Sequence, residues 1–520
     1  MPDVLENIVE QASAGPDLPA VKDLGTELSY AELCAEAARL GSGLSASGVV
    51  EGDRVALFLP NSVDFVVAAL ASLWVGAIFV PLSVADPEAR LASIVADCKP
   101  ALIVRSAEVS DDDHLPLSDS FGGSPIVSVA ELRASSGDDL PDPLPASSRI
   151  AYAIYTSGTT GSPKGVLIGS AAFGAAVEAT SQALDLNRST RTLCVSPFHF
   201  DGSFGTLFPT LFSGGAVVIR PREALLFPRT FFNAVAKEEI TYTGFSPSYL
   251  RILLASPQMA KLTDTPLDVI ALGGEASSLT DIRSVWASAP RIRVFNRYGP
   301  TETTIAVTHV LLTPEMTADG IVPMGHPHPG VSFYLVDEAG EIIDETDRVG
   351  ELYIGGSQLM AGYWGAPALT EEVLRSDVVD GEVVYRTGDL VYRDRSGSYV
   401  YVDRADRVIK RSGVRISLVE LTEAMRSLAG VSAAACVTFD DEGDLGIVAF
   451  VVADGSLSAL ELRQAARDHL PETMLPNRVE LVEDLPMTKS SKLDERLLLS
   501  RAGLAPVSSG PTGGVTPPPA

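Results

Sequence analysis

Residues 155–166, which read YTSGTTGSPKGV, form the segment that most restricts what this chain can fold into. Five Ser/Thr hydroxyls and three glycines occupy these twelve residues, directly after the apolar run 150–154. The pattern predicts a buried strand that leads into a loop whose backbone N–H groups surround an anion, with Lys164 adding positive charge. A polyphosphate suits such a loop. The Gly-Lys-Ser/Thr step of the Walker loop is absent, and Pro163 and Lys164 disfavour the alternative of a flexible linker.

The size and charge of the chain exclude some classes of protein. At 520 residues it exceeds one ordinary domain, and its apolar share of 46% and charged share of 20% are those of a soluble globular protein. The net charge of −28 argues against nucleic acid as a partner, because nucleic-acid-binding proteins present basic surfaces.

The chain lacks the marks of a secreted or membrane protein. Its four cysteines have no CxxC spacing, and its first residues lack the basic and apolar regions of a signal peptide, so we expect a cytoplasmic protein. The charge-free run between Asp64 and Asp86 is interrupted by Gly76 and Pro81. This run predicts a buried helix followed by a strand, with no membrane partner.

Alternating strand and helix signals predict an α/β fold. Residues 1–403 are expected to form a large layered α/β domain built on mostly parallel sheets, with 107–148 as surface loops. Ser29 and Glu32 have the spacing of a capping box at the start of a helix. Residues 404–503 predict a small α+β domain, with helices at 418–428 and 458–470 and strands at 432–438 and 445–452. The Pro/Gly/Ser/Thr-rich residues 504–520 predict a disordered tail.

The phosphate loop resembles the signature of the adenylate-forming (ANL) superfamily, which includes acyl-CoA synthetases, luciferases and the adenylation domains of nonribosomal peptide synthesis. The resemblance extends over about residues 25–497, because further family motifs follow in the family's order. They are GGE at 273–275, NRYGPTE at 296–302, GEL at 350–352, YRTGDL at 385–390, KRSGVR at 410–415 and LPMTKSSK at 485–492. The resemblance implies ATP and Mg²⁺ as cofactors, and a small C-terminal domain that is mobile relative to the large one.

The resemblance also assigns the nucleotide site. An adenylation site joins a carboxylate to the α-phosphate of ATP, so it needs cations and oriented donors. Lys492 would be the catalytic lysine, and Glu302 the carboxylate on the magnesium side. Asp389 would hold the ribose hydroxyls, since a carboxylate accepts two hydroxyl donors. Tyr298 would stack on adenine and Asn296 would bond its amino edge. The remaining nucleotide contacts would be Thr156 (also catalytic), Ser157, Gly158, Thr159, Thr160, Lys164, Gly273, Gly274, Glu275, Gly299, Thr301 and Arg404.

The small domain departs from the family pattern at a few positions. Ser491 and Asp403 stand where the family usually has glycine, and residues 416–420 lack the usual first Glu and the Gly. These differences lie in loops of the small domain. We expect them to affect domain rotation and partner docking more than adenylation.

The residues around Asp201 predict the kind of acid that is activated. By resemblance, Asp201 faces the ammonium group of an amino acid substrate, and a neutral acid would leave this carboxylate unpaired at a cost of a few kcal/mol. Arg297 needs a carboxylate, phosphate or carbonyl partner. The pocket therefore predicts an amino acid, α or β, with an additional polar or anionic group. The pocket positions carried over from the family are Asp201, Gly202, Gly205, Gly244, Ala271, Gly273, Arg297, Ile305 and Ala306.

The sequence as a whole predicts amino acid adenylation followed by transfer of the aminoacyl group to a thiol. We expect the phosphopantetheine thiol of a separate acyl or peptidyl carrier protein, since nothing after Leu498 is long enough to form a carrier domain, and we expect a monomer. Free coenzyme A is the other acceptor left open. An acyl- or aryl-CoA ligase is the alternative enzyme, and an inactive binding homologue is the alternative from another class.

Overall fold

The computed structural model describes residues 3–106, 123–137, 142–144, 149–156, 163–316, 322–404, 408–411, 414–441, 444–455, 457–486 and 493–507. The side chains of some residues between 403 and 423, Arg404 among them, lie outside the description. So do five predicted site residues, Ser157, Gly158, Thr159, Thr160 and Lys492.

The strands are, in chain order, β1 (Pro19–Lys22), β2 (Glu27–Ser29), β3 (Arg54–Phe58), β4 (Ile78–Leu82), β5 (Leu102–Arg105), β6 (Ile126–Ser128), β7 (Ile150–Thr156), β8 (Lys164–Gly169), β9 (Arg191–Cys194), β10 (Ala216–Ile219), β11 (Tyr242–Phe245), β12 (Val269–Gly273), β13 (Arg293–Tyr298), β14 (Thr308–Leu311), β15 (Val331–Val336), β16 (Gly350–Gly356), β17 (Gly362–Tyr363), β18 (Leu374–Val379), β19 (Glu382–Arg393), β20 (Tyr399–Arg404), β21 (Val408–Arg411), β22 (Val414–Ser417), β23 (Val431–Asp441), β24 (Asp444–Ala453) and β25 (Arg478–Leu481).

The helices are α1 (Val4–Ala14), α2 (Tyr30–Ala46), α3 (Val63–Trp74), α4 (Glu88–Cys98), α5 (Val129–Ala134), α6 (Ser170–Ala183), α7 (Asp201–Phe212), α8 (Arg222–Leu225), α9 (Pro228–Lys237), α10 (Pro247–Leu254), α11 (Leu279–Ser288), α12 (Pro367–Val373), α13 (Leu418–Arg426), α14 (Ala459–Ala465) and α15 (Glu495–Arg501). Among the described residues, no helix combines the length and the apolar composition needed to cross a lipid bilayer.

Three sheets organise the N-terminal part of the chain. An eight-stranded sheet has the order β14-β13-β12-β11-β9-β10-β1-β2 and is parallel except for its two edge strands. A seven-stranded sheet has the order β17-β8-β7-β4-β3-β5-β6. A third, antiparallel sheet runs β15-β16-β19-β18, with β20 paired to β19. The predicted α/β class, with mostly parallel pairing in the first sheet, is confirmed.

Layers of helix and sheet alternate through this part. The largest apolar core contains residues of the eight-stranded sheet, of the seven-stranded sheet and of helices α2, α3, α6 and α7, so these helices lie between the two sheets. A second core joins the opposite face of the eight-stranded sheet to α9, α10 and α11. Both faces of the parallel strands are thus buried, which explains why their sequences are apolar runs rather than alternating patterns.

The C-terminal part has a core of its own. Strands β23, β24 and β25 form a three-stranded sheet, and β21 and β22 form a hairpin. The core between this sheet and helices α13 and α14 is built from residues 416–479, with Phe200 of the N-terminal part packed against it. The predicted helices and strands of the small α+β unit are present. The boundary predicted at 403–404 falls in β20 and stays a prediction.

Local signals in the sequence set several of these elements. Ser29 caps α2 in a capping box with Glu32, and Ser458 caps α14 in the same way with Glu461. The charge-free run after Asp64 forms α3 and then β4, as predicted.

Two stretches differ from their prediction. Residues 126–134, predicted as loop, form β6 and α5, because Ser128 caps α5 and Ile126 pairs with β5 at the sheet edge. In the predicted tail, the carbonyl of Ala505 accepts a hydrogen bond of 2.9 Å from Asp440 N. Residues 508–520 lie outside the described residues.

Candidate active site

The candidate site lies where the parallel strands of the eight-stranded sheet end. Gly273 is the last residue of β12 and Tyr298 the last of β13, and Asp201 opens α7 after β9. Ligands of open α/β sheets bind at the carboxyl ends of parallel strands, where the following loops leave a crevice. Asp201 and the GGE and NRYGPTE motifs are therefore brought to one edge of the eight-stranded sheet, whereas the phosphate loop and the YRTGDL motif belong to the other two sheets.

The phosphate loop is held by its two ends. Thr156 ends β7 and Lys164 begins β8, and the two residues are partners across the antiparallel pair. The loop between them falls outside the described residues, so the predicted contacts of Ser157, Gly158, Thr159 and Thr160 stay predictions. Pairing of its ends fixes where the loop starts and returns.

Glu302 is a buried carboxylate beside the end of this loop. Its side chain is only 2% exposed, and its Oε1 accepts a hydrogen bond of 2.7 Å from the Tyr363 hydroxyl. The Nζ atom of Lys164 lies 5.1 Å from the centre of the Tyr363 ring. Tyr363 thus lies between the lysine of the phosphate loop and the carboxylate predicted on the magnesium side.

Tyr298 and Asp389 meet on the nucleotide side of the predicted site. Both are buried, and the Tyr298 hydroxyl donates a short hydrogen bond to Asp389 Oδ2. The Thr387 hydroxyl accepts a bond of 2.9 Å from Asp389 N and donates one of 2.7 Å to Leu352 O, which fixes the turn. Arg404 is the residue opposite Asp389 in the β19–β20 pair. A carboxylate has capacity for several donors, so Asp389 can accept ribose hydroxyls in addition to Tyr298.

The other predicted nucleotide residues surround the ends of β12 and β13. Asn296 donates a bond of 2.8 Å to Pro323 O and accepts one of 2.9 Å from the Ser277 hydroxyl. The amide oxygen has a second lone pair for an adenine amino group. Glu275 is bonded through Oε2 to the backbone N and hydroxyl of Ser248, at 2.9 and 2.6 Å. This carboxylate therefore holds the first turn of α10.

Two glycines allow the chain to pass through this crowded edge. Gly274 has a φ of 85°, in the region that favours glycine. A Cβ on Gly299 would lie 2.5 Å from Ala306 Cα, so only glycine fits there. Thr301 follows at the start of a short 3-10 helix that carries Glu302. The NRYGPTE segment is thus fixed by close backbone packing.

Asp201 places a carboxylate at the start of α7 that the described residues leave partly unpaired. Its Oδ2 atom is buried and has no hydrogen-bond partner among them. The pKa of Asp201 is raised to about 6: burial is the largest cause and the Glu302 carboxylate adds to it, while Thr301, the Gly202 N–H and Arg297 act in the opposite direction. A buried acceptor without a partner indicates a ligand donor at this point.

The Arg297 side chain lies across the predicted pocket glycines. Its side chain is 8% exposed, and Nη2 donates to Gly202 O at 3.4 Å. A Cβ on Gly273 would lie 2.4 Å from Arg297 Cγ, and a Cβ on Gly205 would lie 3.1 Å from Nη1. A Cβ on Gly244 would lie 3.5 Å from the same Nη1 atom. The glycines make the room that the guanidinium occupies, and Nη1 itself has no partner among the described residues.

The remaining predicted pocket positions are apolar residues. Ala271, Ile305 and Ala306 are all buried. Ile305 Cγ2 lies 2.6 Å from the place of a Gly205 Cβ, so it closes the pocket against α7. Gly202, Gly205, Gly244 and Gly273 thus lie around the Arg297 side chain, with Asp201 and Ile305 beside them. That Ala271 and Ala306 line the same space, and that any of the nine positions contacts a substrate, stays a prediction.

Four residues of the site were not predicted from the sequence: Tyr363, His309, His328 and Gln358. His309 Nδ1 and His328 Nε2 are 2.9 Å apart, and His328 Nδ1 is 3.0 Å from Gln358 Oε1. The Gln358 Nε2 atom donates to Ala306 O at 2.7 Å and to two neighbouring carbonyls. We name these three side chains the His–His–Gln chain. His309 lies in β14, whereas His328 and Gln358 lie in loops, so no local pattern in the sequence joins them.

The His–His–Gln chain holds a strained stretch of backbone. Thr304 and Ile305 have φ values of 58° and 71°, unusual for residues with side chains. The Thr304 hydroxyl donates to Gln358 O at 2.7 Å, so Gln358 bonds this stretch from both its backbone and its side chain. Strain of this kind persists where surrounding bonds over-determine it. The stretch links Glu302 to the pocket wall at Ala306.

The described residues fit a magnesium ion that is held largely by its other ligands. They contain no cluster of three or more His, Cys, Asp or Glu side chains that would hold a metal ion alone. Glu302 is a single buried carboxylate beside the phosphate loop. Magnesium commonly takes one or two protein carboxylates together with phosphate oxygens and water, which this arrangement permits.

Comparison with family models covers most of the chain. The model of the AMP-binding enzyme family matches residues 8–364, and that of the AMP-binding enzyme C-terminal domain matches residues 420–492. Among curated proteins, the chain is 31% identical over 495 residues to tyrocidine synthase 3 of Brevibacillus parabrevis. The match covers 94% of this chain but 8% of that synthase, so the chain spans a small part of its relative's length.

Solved structures with the same fold include an NRPS protein and a CoA synthetase. Holo-PA1221, described as an NRPS protein containing adenylation and PCP domains, matches with a TM-score of 0.85 at 25% identity, over 96% of this chain and 84% of that chain. The o-succinylbenzoate CoA synthetase of Bacillus subtilis matches with a TM-score of 0.82 at 23% identity, over 96% of this chain and 98% of that chain. The second likeness concerns the fold alone. Both the large N-terminal and small C-terminal domains are part of this shared architecture.

Proposed function

This chain belongs to the AMP-binding enzyme family, which confirms the resemblance drawn from its motifs, and we propose that it adenylates an amino acid with ATP. The substrate carboxylate attacks the α-phosphorus of ATP, the bond to the β-phosphate breaks, and pyrophosphate leaves. The phosphopantetheine thiol of a separate carrier protein then attacks the aminoacyl carbonyl, loses its proton and displaces AMP, so that a thioester forms, in natural-product biosynthesis. The proposed substrate is a non-standard amino acid, α or β, with a polar or acidic group.

The unpaired carboxylate of Asp201 is the observation on which the amino acid proposal depends. Its Oδ2 atom is buried without a partner among the described residues, in the space that contains the Arg297 guanidinium. An ammonium group would supply both the missing donor and the missing charge. A fatty or aryl acid would leave the buried oxygen unsatisfied, which costs about 1–3 kcal/mol or more for a charged group.

On the nucleotide side of the site, each predicted residue would have a role in binding ATP. Tyr298 would lie against adenine, Asn296 would accept from its amino group, and Asp389 would hold the ribose hydroxyls. Thr156 and Lys164 would orient the phosphates from the two ends of the loop. Bound Mg²⁺ would be held by Glu302 and would supply positive charge against the phosphates.

Side chains of the protein would allow the substrate carboxylate and the α-phosphate, both anions, to approach each other. Tyr363 would keep the Glu302 carboxylate in place by its hydrogen bond of 2.7 Å. Lys492 would bring its ammonium between the substrate carboxylate and the α-phosphate. Since a fixed donor and cation act without reorganisation, they stabilise the charge that develops during transfer. A subsequent rotation of the small domain would remove Lys492 and admit the thiol.

Two observations bear on the acceptor thiol. Holo-PA1221 combines adenylation and PCP domains, which supports a carrier protein. The fold shared with a CoA synthetase keeps acyl- or aryl-CoA ligase as the second candidate function. Under that alternative the acid would carry no ammonium group and free coenzyme A would accept the acyl group.

Hydroxamate trapping with matched acids tests the proposal. The purified chain, ATP, Mg²⁺ and hydroxylamine would be incubated with amino acids and with the same acids lacking the amino group, beside fatty and aryl acids. We expect trapping of amino acids alone. Comparable trapping of the acids without an amino group would overturn the amino acid proposal, and thioester formation on coenzyme A with such acids would favour the ligase alternative.

A further inference from the structure

Residues 358–364, which we name the bridging segment, hold Glu302 by both its backbone and its side chain. Met360 N donates a hydrogen bond of 2.9 Å to Glu302 O, and the Tyr363 hydroxyl donates one of 2.7 Å to Glu302 Oε1. The carboxylate predicted on the magnesium side therefore takes its position from this segment.

The bridging segment is itself fixed to the strand that follows the phosphate loop. Ala361 N donates to Leu167 O and Trp364 N donates to Gly165 O, both at 2.8 Å. Between these bonds, β17 pairs antiparallel with β8, which begins at Lys164. The bridging segment thus keeps a set position relative to the end of the phosphate loop.

The Gln358 side chain extends from this segment and uses both ends of its amide. Its Nε2 atom lies 2.7 Å from Ala306 O, 3.3 Å from Thr304 O and 3.4 Å from Thr303 O, so this end must be the NH₂ group. Oε1 then accepts from His328 Nδ1 across 3.0 Å. The side chain is only 1% exposed, and a rotation of the amide would break bonds at both ends.

The backbone that Gln358 binds is strained and lies between two parts of the site. Thr304 and Ile305 have φ values of 58° and 71°, which β-branched residues rarely adopt without support from surrounding bonds. Glu302 lies just before this stretch. At its other end, Ile305 Cγ2 lies 2.6 Å from the place of a Cβ on Gly205. Relaxation of the stretch would therefore displace the metal-side carboxylate and the residue that packs against a pocket glycine.

We infer that Gln358 is a positioning residue for adenylation, which fixes the Glu302 carboxylate and the Ile305 side chain through one set of hydrogen bonds. This inference rests on the proposed function, because it takes Glu302 as the carboxylate that binds Mg²⁺ and Ile305 as part of the acid pocket. A change at Gln358 alone should then alter the Mg²⁺ requirement and the choice of acid together.

Two substitutions of similar size test the donor role of the amide. The Mg²⁺ concentration for half-maximal adenylation would be measured by hydroxamate trapping with the acid that wild type activates best. Gln358→Leu should raise it about fivefold, as expected for the loss of a hydrogen bond. Gln358→Glu should raise it at least as much, because a carboxylate accepts from His328 but cannot donate to the three carbonyls. In both variants, the ratio of kcat/KM between this acid and its homologue longer by one methylene should fall towards one.

Hydrogen exchange followed by mass spectrometry gives a readout that needs neither ATP nor Mg²⁺. Amides of residues 302–307 should exchange faster in both variants than in wild type, whereas those of β12 should not change. Gln182→Leu is the matched control, because Gln182 is exposed on α6. It should leave the Mg²⁺ requirement, the choice of acid and the exchange rates unchanged.

A Gln358→Glu variant with the Mg²⁺ requirement and the exchange rates of wild type would overturn the inference. If both Gln358 variants fail to fold, Thr304→Val decides, since it removes only the hydroxyl that donates to Gln358 O at 2.7 Å. It should raise the Mg²⁺ requirement by a smaller factor, and no change would overturn the inference. Equal activation of acids with and without an amino group would remove the amino acid proposal, while the Mg²⁺ and exchange measurements would still decide the role of Gln358.

Discussion

Asp201 and Arg297 carry opposite charges in one buried space and form no ion pair with each other. Asp201 Oδ2 and Arg297 Nη1 are each buried without a hydrogen-bond partner among the described residues, although Arg297 acts on the pKa of Asp201. Opposite charges that are buried and unpaired are costly, so a stable protein keeps them where a ligand completes them. The separation of the two groups would suit a substrate with a cation at one end and a polar group at the other.

The acidity of Asp201 predicts the pH dependence of amino acid capture. Burial raises its pKa to about 6, so the carboxylate is charged above that pH and neutral below it. kcat/KM for the amino acid should fall about tenfold per unit as pH drops below 6, at saturating ATP. kcat should fall less, because a bound ammonium group stabilises the charged carboxylate.

Measurement of kcat/KM from pH 5 to 8 with wild type and Asp201→Asn checks this pH dependence. The acidic limb, which is the fall in kcat/KM below pH 6, should be absent from the variant, because its amide does not titrate. An acidic limb that persists in Asp201→Asn would assign it to another group.

Arg297→Ala should change which side chains are accepted. Removing the guanidinium and its N–H donors should change relative kcat/KM in favour of smaller or more apolar amino acids. The change should be equivalent to about 1.5–3 kcal/mol, the value of a charged hydrogen bond. The KM for ATP should stay the same. Arg293→Ala on the same strand is the control, since Arg293 pairs with Asp268 at the surface. A wild type that already prefers aliphatic amino acids would contradict the proposed role.

Parts of this arrangement were predictable because they are contiguous in sequence. The NRYGPTE segment carries Asn296, Arg297 and Glu302 on one strand end, so its motif gave all three. His309, His328 and Gln358 were not predicted, because their meeting depends on strand register and on a loop that returns from another sheet. Residues 126–134 were included in a predicted loop because the stretches on both sides are acidic and rich in Ser, Pro and Asp. The segment itself is mostly apolar, and pairing at a sheet edge decides its structure.

Tyr363→Phe should leave the Glu302 carboxylate, which is predicted to bind Mg²⁺, less firmly positioned. The variant loses the hydrogen bond of 2.7 Å to Glu302 Oε1, which is worth about 1.5–3 kcal/mol when the acceptor is charged. The Mg²⁺ concentration for half-maximal adenylation should rise, and a magnesium titration measures it. Tyr334→Phe is the matched control, because Tyr334 donates a similar bond to Glu382 away from the site. Equal shifts in both variants would argue against the role of Tyr363.

Lys492→Ala should separate the two half-reactions. Adenylation should fall by several orders of magnitude, because the variant lacks the cation between the two reacting anions. Thioester formation from a supplied aminoacyl-adenylate should be much less affected, because the small domain would by then have moved this lysine away. The exposed Lys261→Ala is the control. Equal losses in both half-reactions would contradict the two-conformation mechanism.

The central claim is that Asp201 selects an amino acid by its ammonium group, and a cycle of two enzymes and two acids tests it most directly. kcat/KM would be measured for wild type and Asp201→Asn with the best amino acid and with the same acid lacking the amino group. Wild type should favour the amino acid by about 2–4 kcal/mol, the cost of an unpaired buried charge, and Asp201→Asn should bring the two acids to similar values. A preference that survives in Asp201→Asn, or that is absent from wild type, would contradict the account.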